Sequence, residues 1–307
     1  MQISYKKKVI LSILESVPEG LSAKCLQKYL FVFTRQQQGT AIYDFVPYRY
    51  GCFSFNANQD ILSLEKNSYI FKDELSGENS IYKRSPGYRY TQDLDLFDRV
   101  ALANIVSEFC GLSSDEIIAY TYRRWPFTAI NSLVKEHLLT HAELARVEEQ
   151  AQRCHQDSSP TLFTIGYEGL SLERYLRILI TNNVKLLCDV RKNAFSMKYG
   201  FSKAILQKAC EGVGIHYVHI SALGIENTYR ESLLCQADYD ALFSYYEANT
   251  LRENWSALLY VKSLLDTYGR ICLTCYEKDP RQCHRTRIAY ALLRLYNEEI
   301  PFRQLFL

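Results

Sequence analysis

From residue 161 to the end of the chain, short apolar runs alternate with stretches of helical periodicity, and this alternation restricts the fold more than any other feature. TLFTIG, VKLLCDV, IHYVHI, ALLY and RICLTCYE are expected as strands. The helices between them are expected to start near Ser171, Ser202 and Asp238, with a final one after Arg281. Near-continuous apolar strands separated by crossover helices indicate a parallel sheet covered on both faces, wound by right-handed connections. The fold class expected for residues 156–307 is therefore α/β, an open parallel-rich sheet with flanking helices.

The boundary before this region falls in RVEEQAQRCHQDSSPTLFTIG, where a charged helix gives way to a Ser-Ser-Pro break and then to an apolar run. Upstream, Val9, Ile10, Ile13 and Leu14 recur at helical spacing, and Leu21, Leu26, Leu30 and Val32 follow the Pro18-Glu-Gly turn. A third helix in ANQDILSLEKNSYI leads into a hairpin, YIFKDE and SIYKRSPGYRYT, turning around Ser76-Gly77. Helix, helix, helix, hairpin is the order of a winged helix, expected over residues 1–92. Residues 93–155 are expected as a helical connecting region, with LFDRVALANIVSEF and DEIIAYTYRRW as its clearest amphipathic pieces. Trp125, after Arg123 and Arg124, is expected as a core anchor.

The phrase PYRYGCFSFNANQDILSLEKNSYI resembles the Tyr-Gly-Pro-Phe-Ser signature of antitoxin-associated domains of the Panacea or SocA type, with Cys52 where that family has Pro. That resemblance implies a protein- or DNA-binding module. In the second half, TIGYEG, LLCDVR, GIHYVHISALG and above all CYEKDPRQCHR resemble, in order, the successive motifs of the domain-of-unknown-function family 488. It implies an α/β fold with a shared site and no particular reaction.

Residue roles are therefore read from chemistry. In a parallel sheet the strand ends share one edge, where open α/β sheets bind ligands. Arg191, Arg281 and Arg285 are expected to hold a phosphate, because a guanidinium fork matches it bidentately. Tyr167 and Glu168 are expected to join them. Glu277, just past an apolar strand, is the candidate general base or nucleophile. Asp189 is a further candidate in the catalytic set, with a structural ion pair to Arg191 as its favoured role. His284 is a further candidate in the catalytic set, with fixing the loop before the last helix as its favoured role.

Cys275, Cys283 and His284 are zinc-compatible residue types, but adjacent ligands in a Cys-His pair are geometrically awkward, and only Cys272 offers a fourth. No metal and no cofactor is expected. Cys275 to Arg281 has the Cys-x5-Arg spacing of a phosphatase loop, yet Glu277, Asp279 and Pro280 would repel a phosphate and remove an N–H donor.

Ten scattered cysteines in 307 residues do not form the dense framework of a small secreted domain, and no apolar run approaches the length of a bilayer span. A cytoplasmic location without membrane association is expected, with homo-oligomerisation allowed. The formal charge of +2 gives no general attraction to polyanions, so nucleic-acid contact must be local. Lys24, Lys28 and Arg35, on the second helix, are the expected contacts to duplex DNA. Together these features suggest a hydrolase of a phosphoester or glycosidic bond in nucleic acid or a nucleotide, with a DNA-binding module. The competing expectation is a non-catalytic DNA-binding regulator that senses a nucleotide.

Overall fold

The computed structural model describes residues 3–73, 80–230 and 233–306, and the chain divides into two compact units, Met1–Ala151 and Gln152–Leu307. Among the described residues, no helix is long and apolar enough to cross a membrane.

The first unit runs α1 (Tyr5–Ser16), β1 (Leu21–Ser22), α2 (Ala23–Gln36), β2 (Val46–Tyr48), β3 (Gly51–Phe53), α3 (Phe55–Lys66), β4 (Ile70–Asp73) and β5 (Ile81–Arg84). The N-cap side chains of Ser22 and Ser54 accept from Cys25 N and Ala57 N, which starts α2 and α3 where they do. Strands β1, β5 and β4 form one antiparallel sheet in that order, and β2 and β3 form a separate hairpin. The Ser76-Gly77 turn expected between β4 and β5 lies outside the described residues.

Helix α2 is buried along its whole middle, from Cys25 to Phe33. This overturns one expectation. Lys28 presents no charge to solvent: it is 1% exposed, and its ammonium donates to the carbonyls of Tyr50 (2.5 Å) and Cys52 (3.0 Å). An ammonium desolvated this way must spend its donors inside, so it has none for a DNA phosphate. Lys24 and Arg35 are exposed, lying over the rings of Tyr50 and Phe31.

The unit continues through α4 (Leu96–Phe109), α5 (Ser114–Arg124), α6 (Lys135–Leu138) and α7 (His141–Cys154). Leu102, Ile105 and Phe109 of α4 share one core with α1 and α2, and Trp125 packs edge-on against Phe31. Ser113 and Glu116 form a capping box at the start of α5.

The second unit is an α/β domain: β6 (Thr161–Gly166), α8 (Leu172–Thr181), β7 (Leu186–Asp189), α9 (Lys203–Glu211), β8 (His216–His219), α10 (Gln236–Ala248), α11 (Thr250–Glu253), α12 (Trp255–Tyr268), β9 (Arg270–Cys275), α13 (Arg285–Leu295) and β10 (Phe302–Leu305). All five strands are parallel, in the order β10-β6-β9-β7-β8. ALLY, expected as a strand, lies inside α12. Leu258, Val261 and Leu265 repeat there at helical spacing, so the run is one stripe of an amphipathic helix. Strand β10 was not expected.

Leu162, Leu186, Leu273 and Ile271 share a core with Phe243, Leu258, Val261, Ile288 and Leu292 of the later helices. Thr274, on the opposite face from Leu273 by strand alternation, instead accepts a hydrogen bond from the Tyr175 hydroxyl of α8 at 2.8 Å. Helices thus cover both faces. The chain leaves β6 towards one side of the sheet and β9 towards the other. Between these two neighbours the connections change direction, and the segments that follow them stay hydrogen-bonded to each other beyond the strands.

Candidate functional site

The ends of β6, β7, β8 and β9 bring Gly166, Asp189, His219 and Cys275 to the same edge of the sheet. The segments after β6 and β9 remain joined beyond the strands. Tyr167 N donates to the Cys275 carbonyl (3.2 Å), Glu168 N to that of Tyr276 (2.9 Å), and Lys278 N to Glu168 Oε2 (2.9 Å). Gly166 is required by this approach, because a Cβ there would lie 1.8 Å from the Glu277 carbonyl oxygen. Gly224 plays the same part between the loops after β7 and β8, where a Cβ would come within 2.1 Å of Lys192 N.

Arg191 is the centre of the site's electrostatics. Its Nε donates to Asp189 Oδ1 (2.8 Å), one terminal nitrogen to Oδ2 (2.5 Å), and the other to the Tyr167 hydroxyl (2.8 Å). Asp189 is fully buried, and it also accepts from Arg191 N and from the Tyr217 hydroxyl at 2.8 Å. Burial alone would lower the Arg191 pKa, but the hydrogen-bonded Asp189 outweighs it and holds the guanidinium protonated. Burial, then the Asp189 charge, pushes the Tyr217 hydroxyl well up, so it stays a donor. Tyr167 stacks on Phe201 at 4.3 Å, and its own pKa is raised by burial. His219 Nε2 lies 2.8 Å from the Arg191 carbonyl and fixes the backbone there.

Tyr167, Arg191 and Glu277 line one cavity of about 340 Å³. Cys275 and Ser196 also line it, and Phe195, Met197 and Tyr276 form an exposed apolar rim. Lys198 leans towards this side, its ammonium donating to the Tyr167 carbonyl and its pKa lowered by partial burial.

Several expected members stand elsewhere. Asp189 lies behind Arg191, with both oxygens spent on orienting it. Arg285 is 1% exposed and donates to the carbonyls of Glu277 (2.5 Å) and Lys278 (3.2 Å), so it braces the site's backbone and does not reach the cavity. The expected phosphate clamp of Arg191 with Arg285 is therefore not formed, because Arg285 is buried against the backbone of Glu277 and Lys278 and only Arg191 lines the cavity. Arg281 is exposed, pairs with Asp279 at 2.9 Å, and lines a different cavity of about 690 Å³ with Asp240 and Arg287. It neither joins Arg191 nor folds over Cys275. Glu168 is exposed and serves as the acceptor for Lys278 N.

His284 is buried against the floor. Its Nε2 lies 2.9 Å from the Val190 carbonyl and its Nδ1 3.9 Å from Cys275 Sγ. Cys275 Sγ is 3.2 Å from Glu277 Oε2. Burial raises the Cys283 thiol well above its ordinary value.

Residues missed from the sequence are Tyr217, Ser196 and the rim residues Phe195 and Met197. Phe195 and Met197 lie in the loop that follows the Asp-Val-Arg strand end, and loops in that position are a readable signal. Tyr217 is diagonal to Asp189 across the β7–β8 register, which no linear pattern reveals.

Residues 171–292 match the model of the family described as Domain of unknown function DUF488, from the start of α8 through most of α13. No curated protein and no solved structure matches the chain.

Proposed function

We propose, from the premise that the C-terminal half holds a DUF488 domain, that this domain is an enzyme acting on a nucleotide or nucleic acid, hydrolysing a phosphoester or glycosidic bond. One observation carries the reading: a protonated guanidinium, that of Arg191, and the Glu277 carboxylate face the same cavity, of a size that accepts a nucleotide. Arg191, fixed by Asp189 and Tyr167, anchors the anionic group. Phe195 and Tyr276 on the rim offer rings on which a base can stack. Glu277 stands beside this position as general base or nucleophile.

The first unit is read as a winged-helix-like module that brings this site to duplex DNA, supported by three helices with an antiparallel sheet and by the exposed Lys24 and Arg35. The wing cations give less support, because Lys72 pairs with Glu65 and Lys83 with Asp73.

The test is a product screen of wild type against Glu277→Gln on nucleotides and on modified and unmodified DNA. Turnover should fall by about a hundredfold or more, while ligand affinity stays within about tenfold. Tight binding without conversion by the wild type would instead favour a nucleotide-sensing regulator.

A further inference from the structure

Beneath the cavity, the thiols of Cys275 and Cys283 and one imidazole nitrogen of His284 all lie within 4.8 Å of one another. Cys275 ends β9, while Cys283 and His284 lead into α13. Adjacent residues reach one point because the backbone turns between them: Cys283 is extended (φ −134°, ψ 130°) and His284 already helical (φ −62°, ψ −21°). Cys272, three residues before Cys275, faces the other side of the sheet by alternation and takes no part.

The imidazole is oriented for ligation. A carbonyl only accepts, so the 2.9 Å contact with the Val190 oxygen puts the ring proton on Nε2 and leaves the Nδ1 lone pair facing Cys275. Metal-ligating histidines are held by such an outer hydrogen bond, with the other nitrogen on the metal. Tyr246 packs against the ring at 5.7 Å and donates to the Leu223 carbonyl, which limits its rotation.

We infer that Cys275, Cys283 and His284 form a three-ligand site for a zinc-class divalent ion at the floor of the cavity, with the fourth position on the side of Glu277. Two thiolates and an imidazole select a borderline-soft ion over magnesium or calcium, which take oxygen ligands. The two thiolate charges are cancelled by the ion, which makes the buried set electrically neutral. Tetrahedral zinc needs ligand atoms about 3.3 to 3.8 Å apart; the Cys275–His284 edge is already 3.9 Å, so only the longer edges contract, by at most about 1 Å. Three protein ligands with the last position towards a cavity is the arrangement of a catalytic rather than a structural zinc. This inference goes beyond the proposed reaction and does not depend on it, because its readout is bound metal and not turnover.

The experiment titrates the chelator-stripped full-length protein with zinc alone and with cobalt(II) alone. One equivalent should bind, and the cobalt form should show thiolate-to-metal charge transfer with tetrahedral d–d bands. Removing an outer partner of a metal ligand costs about 10- to 100-fold in affinity, so Cys275→Ser and Cys283→Ser should each exceed ~100-fold. Cys110→Ser, at an exposed thiol, should leave binding unchanged. If Cys283→Ser fails to fold, the wild type still decides the matter, since the intensity of the cobalt charge-transfer band should report two thiolate ligands. No stoichiometric metal, a cobalt form without thiolate charge transfer, unchanged binding by Cys275→Ser, or a Cys275–Cys283 disulfide would each overturn the inference.

Discussion

Asp189→Asn tests the electrostatic centre of the site with little change of shape. The carboxylate is fully buried and the Arg191 side chain only 6% exposed, so neither charge has water to fall back on. The amide keeps Oδ1 for Arg191 N and Nε but sets a donor against the terminal guanidinium nitrogen and the Tyr217 hydroxyl. Tyr217 can turn and accept; the guanidinium cannot. Breaking a buried pair by removing one partner costs about 3–5 kcal/mol, against about 0.2–1 for an exposed pair. We expect a loss of about 3 kcal/mol for Asp189→Asn and more for Asp189→Ala. In an Arg191→Met background the same change should cost nothing or stabilise, because Asp189 is then itself the unpaired buried charge that the amide removes. The two units each carry one of the two tryptophans, Trp125 and Trp255, and are not expected to unfold as one two-state system. Urea unfolding followed by Trp255 fluorescence in a Trp125→Phe chain isolates the second unit. A cost below about 1 kcal/mol, or one identical in both backgrounds, would refute the claim that Asp189 holds Arg191 by charge.

Other expectations follow from single contacts. Gly166→Ala should destabilise the second unit by about 1–3 kcal/mol and displace the Glu277 backbone, seen as a loss of turnover beyond that explained by the unfolded fraction; wild-type behaviour would mean the strand ends do not meet so closely. Burial lowers the Lys28 pKa below that of the unfolded chain, so the unfolded state binds more protons between the two values. Stability should therefore rise with pH as the solution approaches the unfolded lysine pKa of about 10.4, and this rise should vanish in Lys28→Met. Equal pH slopes in the two proteins would contradict a desolvated ammonium. Phe195→Ala, at a residue 65% exposed, should shift stability by no more than about 0.5 kcal/mol yet weaken nucleotide binding by about 1–3 kcal/mol, measured by calorimetry; unchanged affinity would remove the rim from recognition.

The strands at the centre of the second unit were legible because buried parallel strands are apolar from end to end, so Gly166, Asp189 and Glu277 announce where they stop. ALLY was misread because four apolar residues fit a strand or one turn of helix equally well, and only the longer spacing from Leu258 to Leu265 separates them. FRQL escaped because an edge strand with Arg303 and Gln304 at its centre lacks that apolar signature. Within the site, Arg191 and Arg285 look alike in sequence. Which one faces the cavity depends on the rotational setting of α13, through which Arg285 turns back to the Glu277 carbonyl, and tertiary packing decides that setting. Lys28 was misread as a DNA contact although the run CLQKYLFVF leaves little room for a solvated face, because its charge was weighed without its apolar neighbours.

The loop after Arg191 is closed mainly by its own bonds. Asn193 Oδ1 accepts from Phe195 N, and the Ser202 hydroxyl accepts from Ser196 N while donating to the Ser196 carbonyl. The floor below, by contrast, is zipped into the sheet through Tyr167, Glu168 and Lys278. The two parts meet at Tyr167, whose carbonyl accepts from the Lys198 ammonium. On the function proposed above, the exposed Phe195 and Met197 are therefore the positions at which substrate preference would change with the least effect on the buried Arg191.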